Sequence, residues 1–186
     1  MAEQTIIHTK LDGLLQFASQ CTAATGGFDA TGSVATGADS YVVAFEAGDL
    51  SLTIPGSAVS SYLDRGKLRS PPALRYGDDQ AVTFSFSAYF RDMVSTGSEG
   101  LMDILNRTGL VASTPWISTL SSSGSTDDAE VFAVDLMWQV ENQGSASDTH
   151  LMVLPYCTLS YSLAEGDPNT ISISGTSWAA APSVIL

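Results

Sequence analysis

Cations are scarce in this chain: seven Lys and Arg stand against twenty Asp and Glu, a formal charge of −13. That imbalance argues against nucleic-acid binding through phosphate contacts, which needs a basic face, and against adsorption to anionic membrane surfaces. Charged residues of both signs make up only 15% of the chain, below the roughly 25% usual in soluble domains. Long hydrophobic runs are missing too, none approaching the ~18 residues that span a bilayer. The N-terminal Met-Ala-Glu-Gln-Thr-Ile-Ile-His has no basic segment followed by an apolar one, so no secretory signal is expected and the chain reads as made in a cytoplasm. Cysteine is sparse: Cys21 and Cys157 match no metal-ligand spacing, and two unpaired buried thiols are expected, with a long-range disulfide between them as the alternative.

Catalytic chemistry has little to work with. The only histidines are His8 and His150, and no Gly-x-Ser-x-Gly elbow occurs, so Asp148 beside His150 carries no triad. His150 reads as a surface residue at a strand start. Asp78-Asp79 and Asp127-Asp128 lack the alternating oxygen spacing of a calcium loop and read as solvated turns. Gly-Asp-Pro-Asn at Gly166 to Asn169 reads as a turn between strands rather than a phosphate cradle. No catalytic residue, metal ligand or cofactor is expected, and the chain is not expected to be an enzyme.

What the chain does have is apolar content, 44% over 186 residues, enough for one sizeable core in a single domain spanning 1–186. The dominant pattern has period two. Val82, Phe84, Phe86, Ala88 and Phe90 alternate with Thr83, Ser85, Ser87 and Tyr89, which predicts a strand with an apolar face and a hydroxyl-rich one. From Val131 to Val140 the pattern returns, with Phe132, Val134, Leu136, Trp138 and Val140 on one face and Asp135 and Gln139 on the other. Weaker strand signals run over 41–45, 49–54, 151–163 and 170–174. Ser98 to Arg107 breaks the rhythm: Leu101, Met102, Ile104 and Leu105 have helical spacing, with Ser98 as the expected cap and Gly109 as the stop. Leu11 to Ala18 is ambiguous between helix and strand. Long connections are expected at 20–40, 55–79 and 118–128, and three of them in a small β domain point to work by assembly. The fold class is mainly β, an antiparallel β-sandwich or partial barrel with one short flanking α-helix.

One charge feature stands apart. Arg65, Lys67, Arg69 and Arg75, four of the seven cations, fall together with no acid between Arg65 and Arg75. Two readings stay open: a solvated basic loop, or a docking element for an acidic surface such as the rest of this chain. Contacts of that heterologous kind close into rings or extend into filaments.

Several segments resemble the tail tube (major tail) proteins of long-tailed bacteriophages. They are Gly48-Asp49-Leu50-Ser51, the loop containing Tyr62-Leu63-Asp64-Arg65-Gly66, and Gly77-Asp78-Asp79 leading into Val82-Thr83-Phe84-Ser85-Phe86. Leu101-Met102-Asp103-Ile104-Leu105 with Gly109, Leu154-Pro155-Tyr156-Cys157, and Glu165 through Thr176 carry the rest of the likeness. It covers most of the chain from about Tyr41 onward. The resemblance implies hexameric rings whose inner sheets join into one barrel, stacked into a tube that guides DNA from capsid to host. It also implies a long hairpin over Gly56 to Tyr76 reaching neighbouring rings, with Tyr62, Arg65, Lys67, Arg69 and Arg75 as docking residues. Partners would be further copies of the chain and other tail and head-tail proteins, in a virion, with no membrane binding. DNA would pass through the lumen without specific binding, because carboxylates repel phosphate; by alternation Asp135 and Glu141 are the solvent-face acids expected to line it. The alternatives are a tail terminator or a head-tail or decoration protein, and a secretion-system tube protein.

Overall fold

The computed structural model of the chain describes residues 13–19, 27–28, 33–34, 38–43, 49–56, 59–62, 73–77, 80–89, 100–108, 131–140, 150–178 and 183–185. Its strands are β1 (Gly13–Ala18), β2 (Ser40–Val42), β3 (Ser51–Thr53), β4 (Val59–Tyr62), β5 (Ala73–Tyr76), β6 (Val82–Tyr89), β7 (Val134–Val140), β8 (His150–Ala164), β9 (Thr170–Ser177) and β10 (Ser183–Ile185). The helix α1 (Leu101–Asn106) lies between β6 and β7 in the chain. The architecture is mainly β. Seven antiparallel strands form one open sheet in the order β2-β1-β7-β8-β9-β6-β3, with β10 added beside β8, and β4 and β5 form a separate two-stranded sheet.

Alternation builds the centre of the sheet. Val82, Phe84, Phe86 and Ala88 of β6 are each 3% exposed or less, while Thr83 and Ser85 between them are exposed. On β9, Ile171 and Ile173 continue the apolar face, and the ladder sets Phe86 opposite Ile173 and Ala88 opposite Ile171. The ambiguous segment before Ser19 is a strand: Leu15 and Phe17 of β1 are fully buried, and Leu15 stands opposite Trp138 of β7.

The sheet curls round this core. Phe17 of β1 and Phe86 of β6 have ring centroids 6.1 Å apart, although β7, β8 and β9 lie between their strands in the sheet. Four strand spacings in a flat sheet would separate them by roughly 19 Å. The sheet therefore folds back on itself, as a partial barrel requires. Leu101 and Ile104 of α1 are buried in the same core, and Met102 and Leu105 pack against it.

The turn of the sheet is made within β8, a 15-residue strand. Its first half pairs with β7 on one side and β10 on the other, and its second half pairs with β9. Between them the register slips: Val134 stands opposite Cys157 but Leu136 opposite Leu154, so β8 carries one extra residue there. Tyr156 takes a left-handed backbone, φ 56°, at this bulge. One extra residue flips the parity of everything after it. Leu154 faces the main core before the bulge, and Cys157, Leu159 and Tyr161 face it afterwards.

Two local expectations, both about α1, need correcting. The N-cap of α1 is Gly100 rather than Ser98, because Asp103 reaches back to the Gly100 N–H at 3.3 Å and closes the first turn there. The helix stops at Arg107, in left-handed conformation (φ 52°), before Gly109 is reached; Thr108 N–H bonds to the Asp103 carbonyl at 3.0 Å. The Arg107 guanidinium lies 5.5 Å from the Phe132 ring centroid, a cation–π contact holding the helix end to the sheet. The 55–79 stretch holds β4 and β5, paired with Val59 opposite Tyr76 and Tyr62 opposite Ala73. Ser98, Gly109, the 118–128 connection and most of 20–40 lie outside the described residues.

Candidate functional site

Two surfaces stand out among the described residues: the β4–β5 hairpin and the outward face of the β3-β6-β9-β8 half-sheet. The hairpin is hydrogen-bonded within itself and, among the described residues, forms no ladder with the main sheet. A two-stranded ribbon is marginal by itself in water, so it gains from packing on something larger. Tyr62 ends β4, and Arg75 lies on β5 opposite Ser60. Arg65, Lys67 and Arg69 fall between the two strands in sequence and lie outside the described residues. From Val59 to Tyr76 four cations face the single acid Asp64, a charge of +3; the remaining three cations and nineteen acids leave −16 on the rest of the chain. The molecule is electrically two-part.

The half-sheet face is different in kind. Ser85 on β6, Ser172 and Ser174 on β9, and Ser160 and Ser162 on β8 are exposed, with Ser51 and Thr53 beside them on β3. The serines of β6, β9 and β8 line a shallow trough of about 340 Å³. No outward position on these four strands bears a charge. Neighbouring hydroxyls bond across the ladder: Ser160 Oγ lies 2.9 Å from Ser174 Oγ, and Thr158 donates to the Thr176 carbonyl at 3.4 Å. Asp49, ahead of β3, also lines the trough. Its Oδ2 accepts the Ser87 N–H at 2.7 Å, beyond the end of the β3 ladder.

The acid expected to face a lumen is elsewhere. Asp135 is 1% exposed, which corrects the solvent-face expectation drawn from alternation. The reason is that β7 is covered on both faces. Val134 and Leu136 join the main core, while Met137 packs in a second cluster with Ala18, Phe28, Leu151 and Val153. Under that cover the Asp135 carboxylate accepts the Gly27 N–H through Oδ2 at 2.7 Å and the Tyr156 N–H through Oδ1 at 3.1 Å. It ties residue 27 to the bulge of β8. Alternation cannot detect a two-sided strand when one covering segment lies more than a hundred positions away in sequence. Glu141 lies outside the described residues.

Cys157 follows Tyr156 and points into the main core, where its thiol donates to the Leu154 carbonyl at 3.1 Å. It is a free cysteine, and Cys21 lies outside the described residues. Burial, and after it the Asp135 carboxylate, hold the thiol well above its usual pKa, so the neutral form prevails at physiological pH. An alkylating reagent is expected to spare Cys157 in the folded chain and to modify it after unfolding, read by peptide mass mapping. Equal modification in both states would contradict this burial.

His150 opens β8 opposite Val140, at the strand start where the sequence puts it. Among the described residues, no three of His, Cys, Asp and Glu come together to hold a metal ion, and no helix is long and apolar enough to cross a membrane.

No protein-family model matches the chain, and neither does any curated protein. Among solved structures, it is similar to one from the cryo-EM structure of an extracellular contractile injection system, the PVC sheath/tube terminator in the extended state. That likeness covers 98% of this chain and 99% of the other, with TM-score 0.55 and 10% identity. At that identity what the two chains share is the fold, from one end of each to the other.

Proposed function

We propose that this chain is a non-enzymatic structural subunit of a phage-tail-like particle, built to associate with copies of itself and with other tail components. The observation that carries this is the end-to-end similarity in fold to a sheath/tube terminator, without a large unmatched domain on either side. The two-part charge supports it: a +3 hairpin and a −16 body on one molecule attract when copies meet head to tail, and identical patches repel.

In its full form the proposal is a stacked hexameric ring. The β4–β5 hairpin reaches the acidic surface of an adjacent subunit through Arg65, Lys67, Arg69 and Arg75, with Tyr62 at the loop end of β4. Stacked rings form the tail tube of a virion and conduct DNA toward the host cell. A second form has direct support in the terminator likeness: a subunit that closes one ring and ends the stack. Assembly separates the two, since a tube protein stacks and a terminator stops at a single ring.

Reversing Arg65 and Lys67 to Glu is expected to abolish or strongly reduce assembly in electron micrographs, leaving the circular dichroism of the dispersed chain unchanged. Raising salt should weaken parental assembly in the same direction, because exposed charge pairs are screened within about 10 Å at 0.1 M. Parental protein that forms neither rings nor tubes at any concentration would overturn the proposal. Normal assembly of the reversed variant at low salt would remove the docking role alone.

A further inference from the structure

We infer that the hydroxyl face of the β3-β6-β9-β8 half-sheet turns to the bore of the assembly and presents passing nucleic acid with a neutral surface. This rests on the ring-forming reading above, and it moves the lining from carboxylates to hydroxyls.

The face is built from sequence alternation. One side of each strand is spent on the core, with Phe84, Phe86, Ile171 and Ile173 each 3% exposed or less. The other side is mostly Ser and Thr and without charge, with Ser85, Ser160, Ser162, Ser172 and Ser174 exposed and Ser87, Thr158 and Thr176 half-buried. Ordinary protein surfaces are about 25–35% charged. A chain with twenty acids that places none on the outward positions of four adjacent strands treats this face differently from the rest of its surface.

Chemistry narrows what the face can meet. Between its ends it offers no outward apolar side chain large enough to anchor a subunit interface, whose buried centre is enriched in aromatic residues; half-buried Tyr89 and exposed Trp178, whose Nε1–H donates to the Thr158 hydroxyl at 3.0 Å, stand at opposite ends of the β6–β9 pair. It offers no cation, so a polyanion sliding past would release no counterions and gain no adhesion. Hydroxyls bonded to one another across the ladder, as Ser160 and Ser174 are at 2.9 Å, form a low and continuous surface that holds water. The one acid lining the trough, Asp49, has one oxygen engaged by the Ser87 N–H, and a carboxylate there repels phosphate rather than binding it. Neutrality and smoothness suit a conduit.

The test places a thiol on the face. Ser174→Cys, with Ser85→Cys as a second variant on the neighbouring strand, is assembled and then labelled with a maleimide–gold cluster, the parental chain controlling for Cys21 and Cys157. In end-on micrographs of rings or tubes, gold is expected inside the bore. Gold on the outer rim would overturn the inference. So would thiols that label in the dispersed chain but not in rings, because the face would then be a subunit interface. Failure of both the variants and the parental chain to assemble would instead overturn the functional reading, and this inference with it. If only the variants fail, the face is taken up in subunit contact, which also overturns it.

Discussion

Asp135→Ala is expected to lower the unfolding free energy of the dispersed chain by about 3 kcal/mol, with the fold retained in mild conditions. The substitution removes the acceptor for two backbone donors, Gly27 N–H and Tyr156 N–H, at a site 1% exposed. A buried donor left without a partner costs ~1–3 kcal/mol, and water has little room to replace the carboxylate there. Gly27 has no simple way to shift. A Cβ on it would stand 2.5 Å from the Ser19 carbonyl oxygen and 2.6 Å from the Ala18 Cβ, so residue 27 already lies against β1. Asp135→Asn keeps one acceptor oxygen and turns an NH2 toward the other donor, so an intermediate loss is expected. Urea denaturation with the dispersed chain reads both. An Asp135→Ala variant within about 0.5 kcal/mol of the parent would contradict a structural role for this carboxylate.

Gly175→Ala is expected to cost about 2 kcal/mol, and Gly175→Val more, by overpacking rather than by lost flexibility. Gly175 lies on β9 between Phe84 of β6 and Leu159 of β8. A Cβ at this position would collide with Phe84 Cζ and stand 2.7 Å from the Thr158 carbonyl oxygen. The Phe84 ring lies over the glycine and takes the space a side chain would fill, which is how an aromatic compensates for glycine in a strand. Neither neighbour yields easily: Phe84 is 3% exposed and packs against Phe86 at 6.4 Å, and Thr158 O belongs to the sheet backbone. Trimming the ring in the double variant Gly175→Ala, Phe84→Leu should relieve part of the clash, giving a coupling of about 1 kcal/mol. Purely additive losses would show that the ring is not the obstacle. In the sequence, Gly175 sits in Ile-Ser-Gly-Thr and resembles any strand glycine; its partners appear only once the register is known.

Both sites bear on how much could be read in advance. The strand over β6, the helix around Ile104, and β8 and β9 with their intervening turn are visible in residue order, because local periodicity is the imprint of one buried face. The hydroxyl face is visible for the same reason: Thr83, Ser85 and Ser87 alternate with buried neighbours, as do Ser172 and Ser174. Its position was legible, and its use as a surface was not. A single strand shows which residues point outward, but not that four strands place them side by side around one trough.

Composition and pattern by themselves determined a mainly β chain with one short helix and a single strong concentration of cations. The tertiary structure decided what alternation could not. It covered β7 on both faces and so made Asp135 an internal tie instead of a surface acid. It put an extra residue into β8, which reversed the facing of every later side chain in that strand. It brought Phe17 to Phe86 across three intervening strands. The physical reason is common to all three. Periodicity records contacts between a residue and its own strand face, whereas curvature, bulges and two-sided burial arise from contacts between segments far apart in the chain. The scarcity of cations is a property of composition; the neutrality of the half-sheet face belongs to the fold.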